Sequence, residues 1–226
     1  MANTVQLPGT QLGLDENIRI GPGLKRNHYD GSIHVTESGI VKGMNNMAWM
    51  EGARRRYIPV KGDLVLGVVT HKHPDYVRVD INAPELATLS TLAFESATKR
   101  NKIAINLGDL VFAKVSVALP DLEPEVVCCN MRTGKADGMG VIQPQSNSNS
   151  IVVNLQAARM ALSPECAFVK AIGKHGPFEW CIGVNGRVLI TTQKMKMTTQ
   201  ICRIFPLITF LTNNQIEGLV ETALRQ

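Results

Sequence analysis

The stretch FEWCIGVNGRVLIT, residues 178–191, holds a Gly-x-Asn-Gly at 183–186 whose reading decides how the C-terminal half folds. One reading is a loop that clamps a nucleic-acid backbone, which would join two helices. The other is a tight turn between two strands. FEWCI before the motif and RVLIT after it are both strand-like, and Asn-Gly between such runs is a strong hairpin signal, because a type I′ turn needs positive φ at both central residues. Gly183, Asn185 and Gly186 are therefore expected to have a structural job, so ligand contacts must be sought elsewhere.

Around this hairpin the chain past residue 122 reads as mixed α and β. Asn154 is placed to cap LQAARMAL, with Leu155, Ala158 and Leu162 on one face and Ser163-Pro164 as the stop. Strands are expected at 167–172, 178–184 and 187–192. Ile201, Ile204, Phe205, Ile208 and Leu211 recur at helical spacing, and Pro206 must kink or split that helix. A last helix carries Ile216, Leu219, Val220, Ala223 and Leu224 on one stripe, with Thr212-x-x-Gln215 as a capping box. QPQSNSNS at 143–150 reads as a polar loop without fixed structure, and the alternation of Lys194 and Lys196 with Met195 and Met197 as a strand end.

Upstream, Leu64–Val69, YVRVDI at 76–81 and LVFAKVSVAL at 110–119 are β-branched-rich segments, the latter two alternating, opened or separated by turns. Such spacing within about 60 residues predicts a small Greek-key barrel of the OB type. Tyr57-Ile58-Pro59 reads as a hinge before it. The first 58 residues, with Pro8-Gly9, Gly21-Pro22-Gly23 and further glycines between short apolar pieces, predict a small all-β unit. The expected architecture is multidomain: an N-terminal all-β domain over 1–58, a β-barrel over 59–122 and an α/β domain over 123–226.

Composition narrows the function. With 44% apolar residues the 226-residue chain has material for packed cores. No stretch of about 18 apolar residues and no leader pattern are read, so no membrane partner is expected and the chain reads as intracellular. Five cysteines, at 128, 129, 166, 181 and 202, form no Cys-x-x-Cys, and neither zinc nor a disulfide framework is expected. The net charge of +5 permits an anionic partner, but its cations are dispersed and no segment is a polybasic arm. Catalytic residues are not apparent. Asp75 and Asp80 are expected on opposite faces of an alternating segment, His71 and His73 lack a metal or triad set, and no phosphate-binding Gly-x-x-x-x-Gly-Lys loop occurs.

Several of these pieces together resemble a known family. VQLPGTQL at 5–12 with IRIGPGL at 18–24, RRYIPVKGDLVLGVV at 55–69, LAFESATKRNK at 92–102 followed by LGDL at 107–110, and CIGVNGRV at 181–188 are similar to the RNA exosome cap subunits that carry an N-terminal β domain, an S1 domain and a KH domain. The resemblance runs from about residue 5 to the C-terminus. It departs at Thr10, where relatives usually carry Asp, and at Asp75-Tyr76-Val77-Arg78, where S1 domains often read Phe-Gly-x-Phe. It implies an S1 barrel over 59–122, a KH domain over 123–226, and a non-catalytic role without cofactor or small-molecule substrate. The implied partners are single-stranded RNA, RNase PH-like ring subunits and other cap subunits. The implied location is nucleus, nucleolus and cytoplasm.

Two groups are candidate RNA contacts. Lys99, Arg100 and Lys102 fall in a polar loop between the third and fourth expected barrel strands, where mobile cations neutralise phosphates without reading sequence; a merely solvated loop is the competing reading. The resemblance favours contact, because S1 loops of such subunits line the entrance to the exosome channel. Lys72, His73, Tyr76 and Arg78 offer one aromatic among cations, the composition of an OB-fold binding face. Arg54, Arg55 and Arg56 fit nuclear targeting, a phosphate contact or docking on an acidic partner equally well.

Overall fold

The computed structural model describes residues 5–15, 17–52, 56–98, 101, 103–130, 132–164 and 166–224. The chain divides into two compact units, Met1–Arg54 and Arg55–Gln226.

Short apolar pieces between turns give the first unit only strands among its described residues. β1 (Val5–Gln6), β2 (Gln11–Leu12), β3 (Arg19–Ile20), β4 (Leu24–Arg26), β5 (Ile33–Val35), β6 (Gly39–Met44) and β7 (Met47–Glu51) form two small sheets, ordered β1-β6-β7-β3 and β2-β5-β4. Leu24, Ile33, Val35, Ala48 and Met50 are its core. The β6–β7 hairpin turns through Asn45 and Asn46, both at positive φ, as a two-residue loop between right-twisted strands requires.

The second unit begins with a closed barrel. β8 (Leu64–Lys72), β9 (Tyr76–Asp80), β10 (Ala87–Phe94), β11 (Leu110–Val117) and β12 (Glu125–Cys128) pair so that β12 touches both β10 and β11 and leaves the barrel without an open edge; β13 (Gly140–Ile142) adds to β11 outside it. The alternating residues Val65, Val69, Val77, Val79, Leu89, Val111, Ala113 and Val115 point inward, as period-two patterning requires. Tyr57 is not a hinge: its ring is 1% exposed in this core and its hydroxyl donates to Asp63 at 2.7 Å. The closing strand lies beyond residue 122, the expected end of the barrel, because EVVC is too short to alternate recognisably and gains its strand character from two neighbours.

An α/β module follows. β14 (Ser148–Val152), β15 (Phe178–Ile182) and β16 (Arg187–Thr192) form an antiparallel sheet ordered β14-β16-β15, covered by α1 (Leu155–Leu162), α2 (Ala167–Gly173), α3 (Met195–Ile204) and α4 (Asn213–Leu224). The segment 167–172, expected as a strand, is helical because Phe168, Ala171 and Ile172 fall at i, i+3 and i+4 and bury together. Residues 148–150 are strand rather than loop, held by β16. Lys194 and Met195 start a helix, not a strand end. In α1 the buried face is Leu155, Ala157, Ala158 and Ala161; Leu162 stays half exposed. Asn154 caps α1 by accepting from the Gln156 N–H, Pro206 turns the end of α3 into a 3-10 helix over Phe205–Thr209, and Gln215 Oε1 accepts from the Thr212 N–H ahead of α4.

Candidate RNA-contacting surface

Strand register sorts the barrel into two ends. β9 runs back from the end of β8, Ser90 of β10 lies opposite Tyr76, and Leu110 of β11 lies opposite Val68. The β8–β9 turn and the 95–109 loop therefore share one end. The β9–β10 and β11–β12 loops share the other.

Lys72, His73 and Tyr76 stand at the first end. The His73 N–H donates to the Tyr76 carbonyl at 2.9 Å, and the two rings stack with centroids 4.5 Å apart, giving a small π surface in which His73 is exposed and Tyr76 half-buried, next in sequence to the exposed Lys72. In the neighbouring loop, Thr98 and Asn101 exchange backbone hydrogen bonds at 3.1 Å, closing the chain on itself. The candidate contacts Lys99, Arg100 and Lys102 lie outside the described residues, as do Arg54 and Arg55. Arg78 does not join this group. Its guanidinium is drawn toward the other end by Glu123 at 3.0 Å, whose second oxygen accepts from Thr88.

The Gly-x-Asn-Gly sits between β15 and β16, not between helices, and its turn differs from the expected type I′. Gly186 donates to the Gly183 carbonyl at 3.0 Å, Gly183 donates to the Arg187 carbonyl at 2.9 Å, and Gly186 alone has positive φ, +81°. This is a turn followed by a left-handed glycine, a bulged hairpin loop. The conformation follows from what Asn185 does. Its side chain is fully buried against the barrel, where Nδ2 donates to the Leu66 and Ile81 carbonyls at 2.8 and 2.9 Å and Oδ1 accepts from the Leu66 N–H at 3.2 Å. β8 pairs with β9 only from Val68 onward, so this amide takes the place of a ladder rung in the gap. Gly183 has no side chain because a Cβ would collide with the Asn185 amide and the Leu66 nitrogen.

Further contacts lock the module to the barrel. Arg187, 11% exposed, donates to Asp80 at 2.8 Å, and the Val184 N–H donates to the Leu64 carbonyl. Leu66, Leu110 and Leu189 form a small apolar cluster across the seam, and Leu155 of α1 reaches into the barrel core. The partners of Asn185 and Arg187 lie more than 100 residues away in the chain, so local pattern gave no sign of them. Among the described residues no group of three or more metal-ligating side chains occurs, and no described helix is long and apolar enough to cross a membrane.

A closed five-stranded barrel with an aromatic and cationic loop end is the build of an S1-domain protein. The model of the family described as exosome complex component RRP40, S1 domain, matches residues 57–140. Exosome complex component RRP40 of Mus musculus is 36% identical over 201 residues, covering 86% of this chain and 72% of that protein. Its counterpart in Drosophila melanogaster is 35% identical over 203 residues, covering 87% and 85%, and that in Saccharomyces cerevisiae is 30% identical over 206 residues, covering 87% and 85%. A crystal structure assigned to an exosome complex RNA-binding protein shares the fold, with a TM-score of 0.62 at 19% identity, over 76% of this chain and 98% of that one. The chain belongs to the exosome complex component RRP40 family.

Proposed function

We propose that this chain is a non-catalytic cap subunit of the RNA exosome that bridges RNase PH-like ring subunits and guides single-stranded RNA toward the central channel for 3′–5′ processing and degradation. Family membership carries the assembly part of this reading. The grouping of Lys72, His73 and Tyr76 at the barrel end where the described residues 95–98 and 103–109 also lie supports the RNA part. The nucleus, nucleolus and cytoplasm are the proposed locations. In this reading the unit over residues 1–54 is the N-terminal β domain, and the α/β module is a KH domain. The link that would clamp RNA between α1 and α2 reads Ser163-Pro164-Glu165-Cys166, without glycine and with an acid that repels phosphate. That composition, and the commitment of Asn185 to the barrel, support RNA contact through the S1 loops.

The test is replacement of Lys99, Arg100 and Lys102 by Ala in the assembled complex. Each lost phosphate contact lowers the slope of log affinity against log salt by roughly 0.7 for a single strand, so losing three contacts shifts it by about 2. Crosslinking of RNA to this subunit should fall while assembly holds. Unchanged crosslinking and slope in an intact assembly would leave only a structural clamp.

A further inference from the structure

The far end of the barrel carries a surface that RNA guidance does not use. The β9–β10 loop and the β11–β12 loop meet over a cavity of about 190 Å³ walled by Ile58, Leu119, Leu122 and flanking prolines. Ile58, Leu119 and Leu122 are 58%, 54% and 62% exposed, so three large apolar side chains stand in water on one small patch. The cavity is below the size of a typical small-molecule site but has room for one or two apolar side chains. Pro59, Pro84 and Pro120 stiffen its walls, which lowers the ordering cost of binding.

The charge on the two loops that wall it has one sign. Glu85 lines the cavity, and Asp121 and Glu123 alternate with its lining residues Pro120, Leu122 and Pro124. No lysine or arginine occurs between Arg78 and Lys99 or between Lys114 and Arg132, the two stretches that supply these loops. Of the cations that border it in sequence, Arg78 is held by Glu123, while Arg56 and Lys61 are exposed on the segment leading into β8. The acids of these two loops that are unpaired among the described residues, Glu85 and Asp121, attract basic groups on a segment lying along them.

We infer that this patch is a docking site for a protein partner presenting an extended segment in which an apolar anchor residue is flanked by lysine or arginine. The anchor fills the cavity between Leu119 and Leu122, and the flanking cations meet Glu85 and Asp121. The surface lies at the opposite end of the barrel from Lys72, His73 and Tyr76, so the partner and RNA bind at the same time.

The test places a photo-crosslinking benzoylphenylalanine at Leu122 of the full chain, in its own cells, and sequences the attached peptide. The expected result is a protein segment with lysine or arginine within a few residues of the attachment point. Its yield should drop on the order of fivefold when Glu85→Lys and Asp121→Lys are combined, by loss of electrostatic complementarity. Replacing Lys99, Arg100 and Lys102 by Ala should leave that yield unchanged, which separates this surface from the RNA path. Attachment to RNA, to a second copy of this chain or to a segment without cations, a yield indifferent to the charge reversals, or no protein adduct would each overturn the inference. Both acids and Leu122 are exposed, and unchanged unfolding of the variants checks that the fold is kept.

Discussion

Replacing Asn185 by Leu removes three hydrogen bonds at once while nearly preserving volume. The Leu66 carbonyl, the Ile81 carbonyl and the Leu66 N–H then face an apolar side chain in a site with no exposure. Each buried group left unpaired costs about 1–3 kcal/mol, so three of them cost roughly 3–9 kcal/mol, a large part of the stability of a domain this size. Urea unfolding of the full chain measures it, with Trp49→Phe as background so that Trp180 of β15 is the sole tryptophan reporter. Hydrogen exchange gives the local counterpart, with Leu66 and Val184 amides losing protection first. Asn185→Asp adds a signature of sign. A carboxylate there keeps the bond from the Leu66 N–H but turns its other oxygen toward two carbonyls, so its folded pKa rises above the unfolded value. Stability of that variant should fall as pH climbs from about 4 through the raised pKa, and recover in acid. A loss below about 1 kcal/mol in Asn185→Leu, with Leu66 protection intact, would refute the view that this amide completes the barrel.

Asp80→Ala should destabilise more than Arg187→Met: the first strands a guanidinium that is 11% exposed, at a cost of about 3 kcal/mol, while the second leaves a carboxylate that is 39% exposed and can rehydrate. Equal losses in urea titrations would contradict this asymmetry. Gly186→Ala forces a side chain into positive φ and puts its Cβ 2.5 Å from the Val153 carbonyl oxygen, so a loss of about 2 kcal/mol or more is expected from thermal unfolding. Alkaline titration should also destabilise the second unit. Burial pushes the Cys128 thiol up to about 12 and the Cys181 thiol up to about 11, and burial with the Asp63 contact raises the Tyr57 hydroxyl. In the unfolded chain these thiols ionise near their ordinary value of 9.0. The stability they contribute is complete below that value and is lost as pH rises toward the folded values; Cys128→Ala should flatten the decline in urea midpoint between pH 8 and about 11.

What the sequence made legible was what repeats over a few residues. The inward alternation of Val77 and Val79, the Asn154 cap and the break at Pro206 are each set by neighbours within one or two turns. AFVKAIG misled because a short, mostly apolar segment with Val and Ile fits either period, and only the module core, where Phe168 meets Phe205, selects the helix. EVVC and residues 148–150 are strands only because β10, β11 and β16 offer free edges. The candidate site divides in the same way. Lys72, His73 and Tyr76 are close in sequence and stay together. Arg78, two residues from Tyr76 on the same strand, is claimed by Glu123, 45 residues away.

The seam between barrel and module explains why a polar plug stands where an apolar contact would have sufficed for adhesion. Leu66, Leu110 and Leu189 supply non-directional attraction, which tolerates sliding of one surface over the other. The Asn185 amide has a single geometry that meets two carbonyls and one N–H, and the Arg187–Asp80 pair fixes a second point on the same turn. Two directional contacts on one short hairpin leave little freedom of rotation about it. On the proposed function, a subunit holding its loop end toward RNA gains more from that fixed orientation than from added apolar area. The same geometry bears on Asn185→Leu. Any residual folded population should keep the module attached through the leucine cluster but lose its set angle, so small-angle scattering should report a broader ensemble at unchanged helix content.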